Sequence, residues 1–319
     1  MKITKESGIP LIGYLAFGII DRGTNLLQVR ASSACNFNCI YCSTDSGPKS
    51  NCHKTQFEVE VNYLIEEVKK VVEFKGEGVE INIDSVGEPL MYKDMVKLVK
   101  ACKEMKGVYK LSMQTNGSLL TDDIINNLKL DVINYSIGSL DEELACKMFG
   151  VQYNVKKSLE DIEKLIKKGI TVRLCPVWVP GLNDEEIPKI IEYSKKVGAE
   201  LGIQKYEIYK HSRKVKGVKP LNWWKFGKKL EEWEKEFDVK LKMTRQDVKI
   251  VKMDRVPEVF KKGERTQVNI VAPGWYNFQM VGVARDRCVA VINCEAEVGD
   301  LVNVKILDTN NNLYLGELA

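Results

Sequence analysis

The sequence predicts an α/β protein, a partial six-unit (β/α) barrel followed by a small β-barrel. Three observations carry that expectation. Strand-like and helix-like patterns alternate from residue 26 to residue 209, the signature of a parallel sheet with crossover helices. About six such units are present, too few for the eight of a full barrel, so the barrel is expected to be open. After Gly263 the pattern changes to short β-rich segments broken by turns.

In order, Leu26–Ala31 reads as a strand and leads straight into a cysteine-bearing loop. Val61, Leu64, Ile65, Val68, Val71 and Val72 recur at helical spacing. VEINID (Val79–Asp84) alternates as a strand. Asp94–Met105 reads as a helix and Tyr109–Thr115 as a strand. Thr121 is placed to cap a helix to Leu128. Val132–Ile137 reads as a strand, Leu159–Lys168 as a helix, Ile170–Trp178 as a strand, Asn183–Val197 as a helix and Leu201–Tyr209 as a strand. Leu221–Phe237 is expected to be a helix rich in Trp and charge. TQVNIVA, NFQMVGVA, CVAVIN, LVNVKIL and NLYLGEL then supply about five short strands, enough for a small oligonucleotide-binding-like barrel. The division that follows is 1–24 extension, 25–210 core, 211–262 basic helical linker and 263–319 small barrel.

Ile9–Ile20 is the most apolar early run, but it is too short and too interrupted by Gly and Pro to cross a bilayer. It is expected to be a buried segment of a cytoplasmic protein without a membrane partner. Charge is uneven. Residues 205–262 carry 18 basic and 9 acidic side chains, whereas 264–319 carry 4 and 7. Between Ile208 and Leu230 there are eight Lys or Arg and no acid, interleaved with Trp223 and Trp224. Lys210, Arg213, Lys214, Lys216 and the two indoles form a candidate phosphate-and-base contact; a solvated helix face is the competing reading.

Nine cysteines do not fit a disulfide framework, and buried thiols account for Cys52, Cys102, Cys146 and Cys175. ACNFNCIYCS is different. Cys35, Cys39 and Cys42 have the spacing C-x3-C-x2-C. Structural zinc and ordinary iron–sulfur sites take four protein ligands. Three thiolates in one loop leave one iron of a 4Fe–4S cluster open to chemistry. Zinc would need a fourth ligand, for which His53 is nearest. Cys288 and Cys294 form C-x5-C, which leaves open a second site shared with Cys52 or Cys175.

With Tyr41 before the last cysteine, the loop resembles the signature of the radical S-adenosylmethionine enzymes. The resemblance implies that Cys35, Cys39 and Cys42 hold a 4Fe–4S cluster whose open iron chelates S-adenosylmethionine. Reductive cleavage of that cofactor, fed by a low-potential electron donor, yields a 5′-deoxyadenosyl radical. VGEP (Val86–Pro89) resembles the family's GGEP motif, with Val86 in place of the first glycine, so Gly87, Glu88 and Pro89 are expected at the cofactor. QTNG contributes Asn116. SIGSLD contributes Ser136 to the ribose, with Gly138 where the family often has Asp. Arg173 is a candidate partner for the cofactor carboxylate. PGLND (Pro180–Asp184) supplies the exit turn, with Asn183 or Asp184 as a helix cap. Residues 25–210 carry the resemblance.

Residues 263–319 resemble a TRAM domain through Phe278–Ile306 and LYLGEL, with VGD before a strand as the characteristic part. The resemblances together imply radical modification of a nucleotide in RNA, tRNA first. A small metabolite or coenzyme precursor, with the barrel as a lid, is the alternative. A non-catalytic RNA-binding iron–sulfur protein is the third.

Overall fold

The computed structural model describes residues 1–244 and 246–319. Packing divides the chain into two units. The first comprises 1–35, 51–111 and 250–319; the second comprises 36–50 and 112–249.

The first unit begins with β1 (Lys2–Ile3), β2 (Gly18–Asp21) and β3 (Leu26–Arg30). β4 (Glu58–Val59) pairs with β1 and leads into α1 (Val61–Lys75). Glu60 caps α1 by accepting from the backbone N–H groups of Asn62 and Tyr63. Val61, Leu64, Val68, Val71 and Val72 line its buried face, and Gly76 ends it. β5 (Val79–Ile83), α2 (Met95–Lys103) and β6 (Val108–Thr115) follow. The strand order here is β6-β5-β3-β2. β3 and β5 are parallel, with Val29 opposite Ile83, while β2 runs antiparallel to β3, with Ile19 opposite Val29. The apolar run after Ile9 is buried as expected, and its end supplies this extra antiparallel strand. No helix among the described residues is long and apolar enough to cross a membrane.

The second unit continues from the end of β6. Thr121 caps α3 (Asp122–Asn127), accepting from the N–H of Ile124. β7 (Val132–Tyr135), α4 (Glu142–Phe149), α5 (Val155–Lys167), β8 (Thr171–Leu174), β9 (Val177–Trp178), α6 (Glu186–Val197), β10 (Glu200–Leu201) and β11 (Gln204–Lys205) come next. The order β10-β8-β7-β6 is parallel throughout, and β9 pairs with β11 apart from it. Each of the last two expected strands is therefore broken. Pro176, which has no N–H to donate, lies in one break. Gly202 lies in the other, where a Cβ would sit 3.1 Å from Cδ of Arg173. The capped helix α4 was not anticipated; it closes on Gly150 at φ 68°. α7 (Trp223–Phe237) is capped by Asn222 and buries Phe226, Leu230 and Trp233 at i, i+4 and i+7.

Back in the first unit, β12 (Arg265–Pro273), β13 (Gln279–Ala284), β14 (Arg287–Ile292), β15 (Leu301–Asp308) and β16 (Leu315–Leu318) close a barrel in the order β12-β13-β14-β16-β15. All five fall on the expected segments. Val268, Ile270, Val289, Val291, Val304 and Ile306 fill it with Phe260 and Tyr314. A Cβ at Gly282 would sit 2.1 Å from Cγ1 of Val268, so the filling leaves no space there.

A buried ion pair holds the incoming 250–256 segment to this unit. The Lys75 ammonium donates to Asp21 Oδ1 at 2.9 Å and to the Asp254 carbonyl at 2.8 Å. Asp21 Oδ2 accepts from the Val256 N–H. The two side chains are 0% and 2% exposed. Lys75→Met is expected to lower unfolding free energy by about 3–5 kcal/mol, because it strands a buried carboxylate. Chemical denaturation followed by circular dichroism measures it.

Candidate active site

The cysteine loop leaves β3 at Arg30 and reaches β4 at Glu58 without regular structure. In the first unit its opening residues are tied down one by one. Ser33 donates its N–H to the Phe57 carbonyl at 3.0 Å. The Ala34 carbonyl accepts from the Glu88 N–H at 2.8 Å. A Cβ on Gly87 would lie 2.1 Å from that carbonyl and 2.9 Å from Cβ of Cys35. Glycine at 87 is thus a requirement of close backbone approach. The Glu88 carboxylate turns inward and caps the short helical turn Pro89–Met91, accepting from the Leu90 N–H.

The second unit holds the rest of the loop. Asn38 and Ile40 donate to the carbonyls of Phe149 and Met148 at the end of α4. The Cys42 N–H donates to the Cys39 carbonyl at 3.1 Å. Cys42 Sγ accepts from the Ser46 N–H at 3.3 Å and lies 3.4 Å from Thr44 Oγ1. Tyr41 packs on Met148, Val179 and Tyr206. Burial raises its phenol well above the usual range, and the neighbouring Cys39 and Cys42 add to the shift. Asn116 donates to Asn36 Oδ1 at 3.0 Å, and Asn36 donates to Ser118 Oγ at 2.9 Å, so the turn after β6 is latched to the loop. Gly117 (φ 75°) has no room for a side chain against the Tyr135 hydroxyl. Ser136 donates its N–H to the Thr115 carbonyl, which sets it beside that turn.

Gly87–Glu88–Pro89 therefore meets the loop in the first unit and Asn116 meets it in the second, with Ser136 bonded to Thr115 at the end of β6. The donor chemistry fits an iron–sulfur cluster. Cys35, Cys39 and Cys42 are half-exposed rather than sealed, and a backbone N–H directed at Cys42 Sγ is a familiar partner of cluster thiolates. Among the described residues no three or more His, Cys, Asp or Glu side chains are gathered as a single-ion site. His53 packs tilted against Trp275, ring centroids 4.1 Å apart, and edge-on to Tyr276. The C-x5-C pair is not a second site. Cys288 is fully buried and its thiol donates to the Pro10 carbonyl at 3.1 Å, while Cys294 packs against the barrel core. Burial pushes the Cys175 thiol up to about 12, an inert packing residue.

Arg213 was expected at an RNA surface and is found elsewhere. Its guanidinium donates to Asp45 Oδ1 at 2.7 Å, to the Cys39 carbonyl at 3.1 Å and to the Ser46 carbonyl at 2.7 Å; its N–H donates to the Cys42 carbonyl at 2.8 Å. The neighbouring segment alternates. Val215 and Val218 pack on the Tyr206 cluster, whereas Lys214 and Lys216 are exposed, as is Lys210. Trp223 and Trp224 are 65% and 70% exposed, with Lys205 and Lys228 over their rings. Arg173 forms a 2.7 Å ion pair with Glu200 and donates to Asn134, so its guanidinium is engaged within the sheet rather than held out to a cofactor. Neither Asn183 nor Asp184 caps α6. Asn183 joins the Gly138 and Val177 carbonyls to the Val179 N–H, and Asp184 accepts from the Trp178 indole.

One group of residues is gathered by no single motif. Gln114, Asn134, Arg173 and Glu200 lie side by side in register across β6, β7, β8 and β10. In the first unit Gln28 stands opposite Asn82, and Gln28 and Arg30 both donate to Asp84. Their apolar neighbours Val29, Ile83, Met113, Ile133 and Leu174 are buried. The signal was available: strands buried on both faces read as continuous apolar runs, and these alternate.

Two outcomes are expected. Gly87→Ala should force the loop aside, costing about 1–3 kcal/mol and reducing iron bound after anaerobic reconstitution. The second concerns Glu186, which holds the loop after β7. Burial opposes its ionisation, but donation from Lys189, Ser139 and the N–H groups of Leu140 and Asp141 outweighs it and lowers the carboxyl from 4.5 to about 2. Its contribution is present above pH 4.5 and is lost as pH falls toward 2. Glu186→Gln should cost about 1.5–3 kcal/mol at neutral pH, and the gap from wild type should close through that acidic window in pH-resolved denaturation.

Comparison with known proteins agrees with this geometry. The family model described as the radical SAM superfamily matches residues 29–194. An uncharacterized protein of Methanocaldococcus jannaschii is 37% identical over the whole chain and 82% of its own length. GTP 3′,8-cyclase of Nautilia profundicola is 29% identical over 62% of this chain and 61% of the cyclase. Among solved structures, Streptococcus suis SuiB bound to S-adenosylmethionine shares the fold with a TM-score of 0.53 and 16% identity, covering 75% of this chain and 52% of SuiB. A 4Fe–4S cluster and S-adenosylmethionine are the cofactors of this family, and the non-catalytic expectation falls away. The chain belongs to the radical SAM superfamily and is a radical S-adenosylmethionine enzyme.

Proposed function

We propose that this enzyme modifies a nucleotide within structured RNA, with tRNA as the substrate class. When bound, the cluster and S-adenosylmethionine supply a 5′-deoxyadenosyl radical that takes a hydrogen atom from the substrate. The chain's own residues bind, orient and shield. Cys35, Cys39 and Cys42 are the proposed cluster ligands. Gly87, Glu88, Pro89, Asn116 and Ser136 form the proposed rim for the cofactor, and Tyr41 anchors the loop beside Cys42 by packing on Met148, Val179 and Tyr206. A low-potential protein donor supplies the electron.

The observation that carries the RNA reading is the pair of exposed indoles. Trp223 and Trp224 stand at the start of α7 beyond exposed Lys210, Lys214 and Lys216. Exposed aromatic rings beside lysines give unpaired bases a stacking surface and phosphates a counter-charge. The C-terminal barrel is acidic; as a TRAM-like module it would orient RNA gripped by the basic segment rather than bind alone. A free purine nucleotide is the second reading, favoured by the likeness to GTP 3′,8-cyclase.

The test has two parts. Dithionite-reduced enzyme should release 5′-deoxyadenosine, and tRNA should stimulate release. In a salt series, neutralising Lys210, Lys214 and Lys216 together should flatten the slope of log affinity by about 0.9 per lost phosphate contact. Trp223→Ala or Trp224→Ala should cost about 1–3 kcal/mol for each stacked base lost. Failure of the wild type to bind tRNA at moderate salt, with stimulation by free GTP instead, would give the second reading its place.

A further inference from the structure

Arg213 lies outside every motif of the family signature, yet it is bonded to the cysteine loop at several points. Its guanidinium reaches Asp45 Oδ1 (2.7 Å), the carbonyls of Cys39 (3.1 Å) and Ser46 (2.7 Å), and the Asp45 carbonyl (3.3 Å). Its backbone N–H reaches the Cys42 carbonyl (2.8 Å). The side chains of Arg213 and Asp45 are only 16% and 7% exposed. A rigid planar fork suits this work, since it fixes several acceptors at once and stays charged. One of the fork's acceptors, the Cys39 carbonyl, belongs to a cysteine of the signature, and the backbone N–H meets the carbonyl of another, Cys42. Another of the fork's acceptors, the Ser46 carbonyl, belongs to the residue whose N–H donates to Cys42 Sγ.

We propose that Arg213 is a positioning residue for the iron–sulfur cluster. It clamps the Cys39–Ser46 turn so that the thiolate of Cys42 keeps its N–H donor, and it places a fixed positive charge beside the cluster. The inference rests on Cys39 and Cys42 being cluster ligands; it does not depend on the identity of the substrate. Two effects follow. Partners that orient metal ligands govern how firmly the metal is held. A nearby cation and N–H···S hydrogen bonds favour the reduced, more negative cluster.

The experiment compares wild type, Arg213→Lys, Arg213→Gln, Asp45→Asn and Lys219→Gln after anaerobic reconstitution. Lys219→Gln removes the same charge from an exposed position of the same segment. The readouts are the rate of cluster loss to a chelator and the midpoint potential from electron paramagnetic resonance at set potentials. Arg213→Gln should lose the cluster about 10–100-fold faster. Its reduced-to-oxidised ratio at a fixed potential should fall about tenfold, equal to about 59 mV for one electron. Arg213→Lys should lose the cluster faster while keeping a near-wild-type potential, because the charge remains and the fork does not. Asp45→Asn should also lose it faster, and Lys219→Gln should match wild type in both readouts. Wild-type cluster loss in Arg213→Gln and Arg213→Lys overturns the proposal, as does an equal shift in Lys219→Gln. Should Arg213→Gln fail to fold, wild-type rates in Arg213→Lys and Asp45→Asn overturn it. A wild-type protein that takes up no iron, or a Cys42→Ser variant that keeps a wild-type cluster, overturns the ligand assignment and the proposal with it.

Discussion

An irregular segment that must present three thiolates cannot organise itself. From Ala31 to Phe57 no ladder or helix satisfies the backbone, so its N–H and carbonyl groups are met by a few bonds within the segment and by groups outside it. Much of the core serves that need. Phe57 and Glu88 secure the loop's first residues, the end of α4 meets Asn38 and Ile40, and Arg213 gathers the carbonyls of Cys39, Asp45 and Ser46. Lines of the fold that look unrelated to chemistry become intelligible this way. Gly150 ends α4 in a left-handed turn, and a side chain there would strike the Asn38 carbonyl. Helix termination and loop placement are one event at that position.

What was legible in the sequence is what chemistry demands locally. The cysteine spacing, Gly87–Glu88–Pro89 and Asn116–Gly117 are short runs whose residue types follow from close approach and turn geometry. The structure gives Gly87, Glu88, Asn116 and Gly117 contacts that explain them. The repeated strand–helix pattern was equally legible, because burial on one face writes itself into adjacent residues. The broken fifth and sixth strands were not, even though Pro176 and Gly202 stood in plain view. Both interruptions sit inside apolar runs that read as continuous.

Arg213 was illegible for a different reason. Its carboxylate partner lies 168 residues away, and its neighbours in sequence are the exposed lysines of the same basic stretch. Composition assigned the stretch a single role, whereas its alternating inward and outward side chains divide it between two. The polar strand face was legible only in part, as alternation within each strand. Gln114, Asn134, Arg173 and Glu200 are unremarkable in their own segments and become a row only through register.

The small barrel is stitched to the opposite end of the chain. Cys288 donates its thiol to the Pro10 carbonyl across 278 residues, its N–H meets the Ile12 carbonyl, and Tyr314 donates to the Gly13 carbonyl. Gly13, at φ 117°, leaves only 2.2 Å between a notional Cβ and the Cys288 carbonyl oxygen. During synthesis this arrangement imposes an order. The second unit is complete at residue 249, whereas the segment around residues 10–13 must wait for Cys288 and Tyr314, far later in the chain. Such long loop closures slow folding and prolong exposure of apolar chain. Ile9, Leu11 and Tyr14, buried in the finished protein, are therefore the residues a chaperone would meet on the nascent polypeptide.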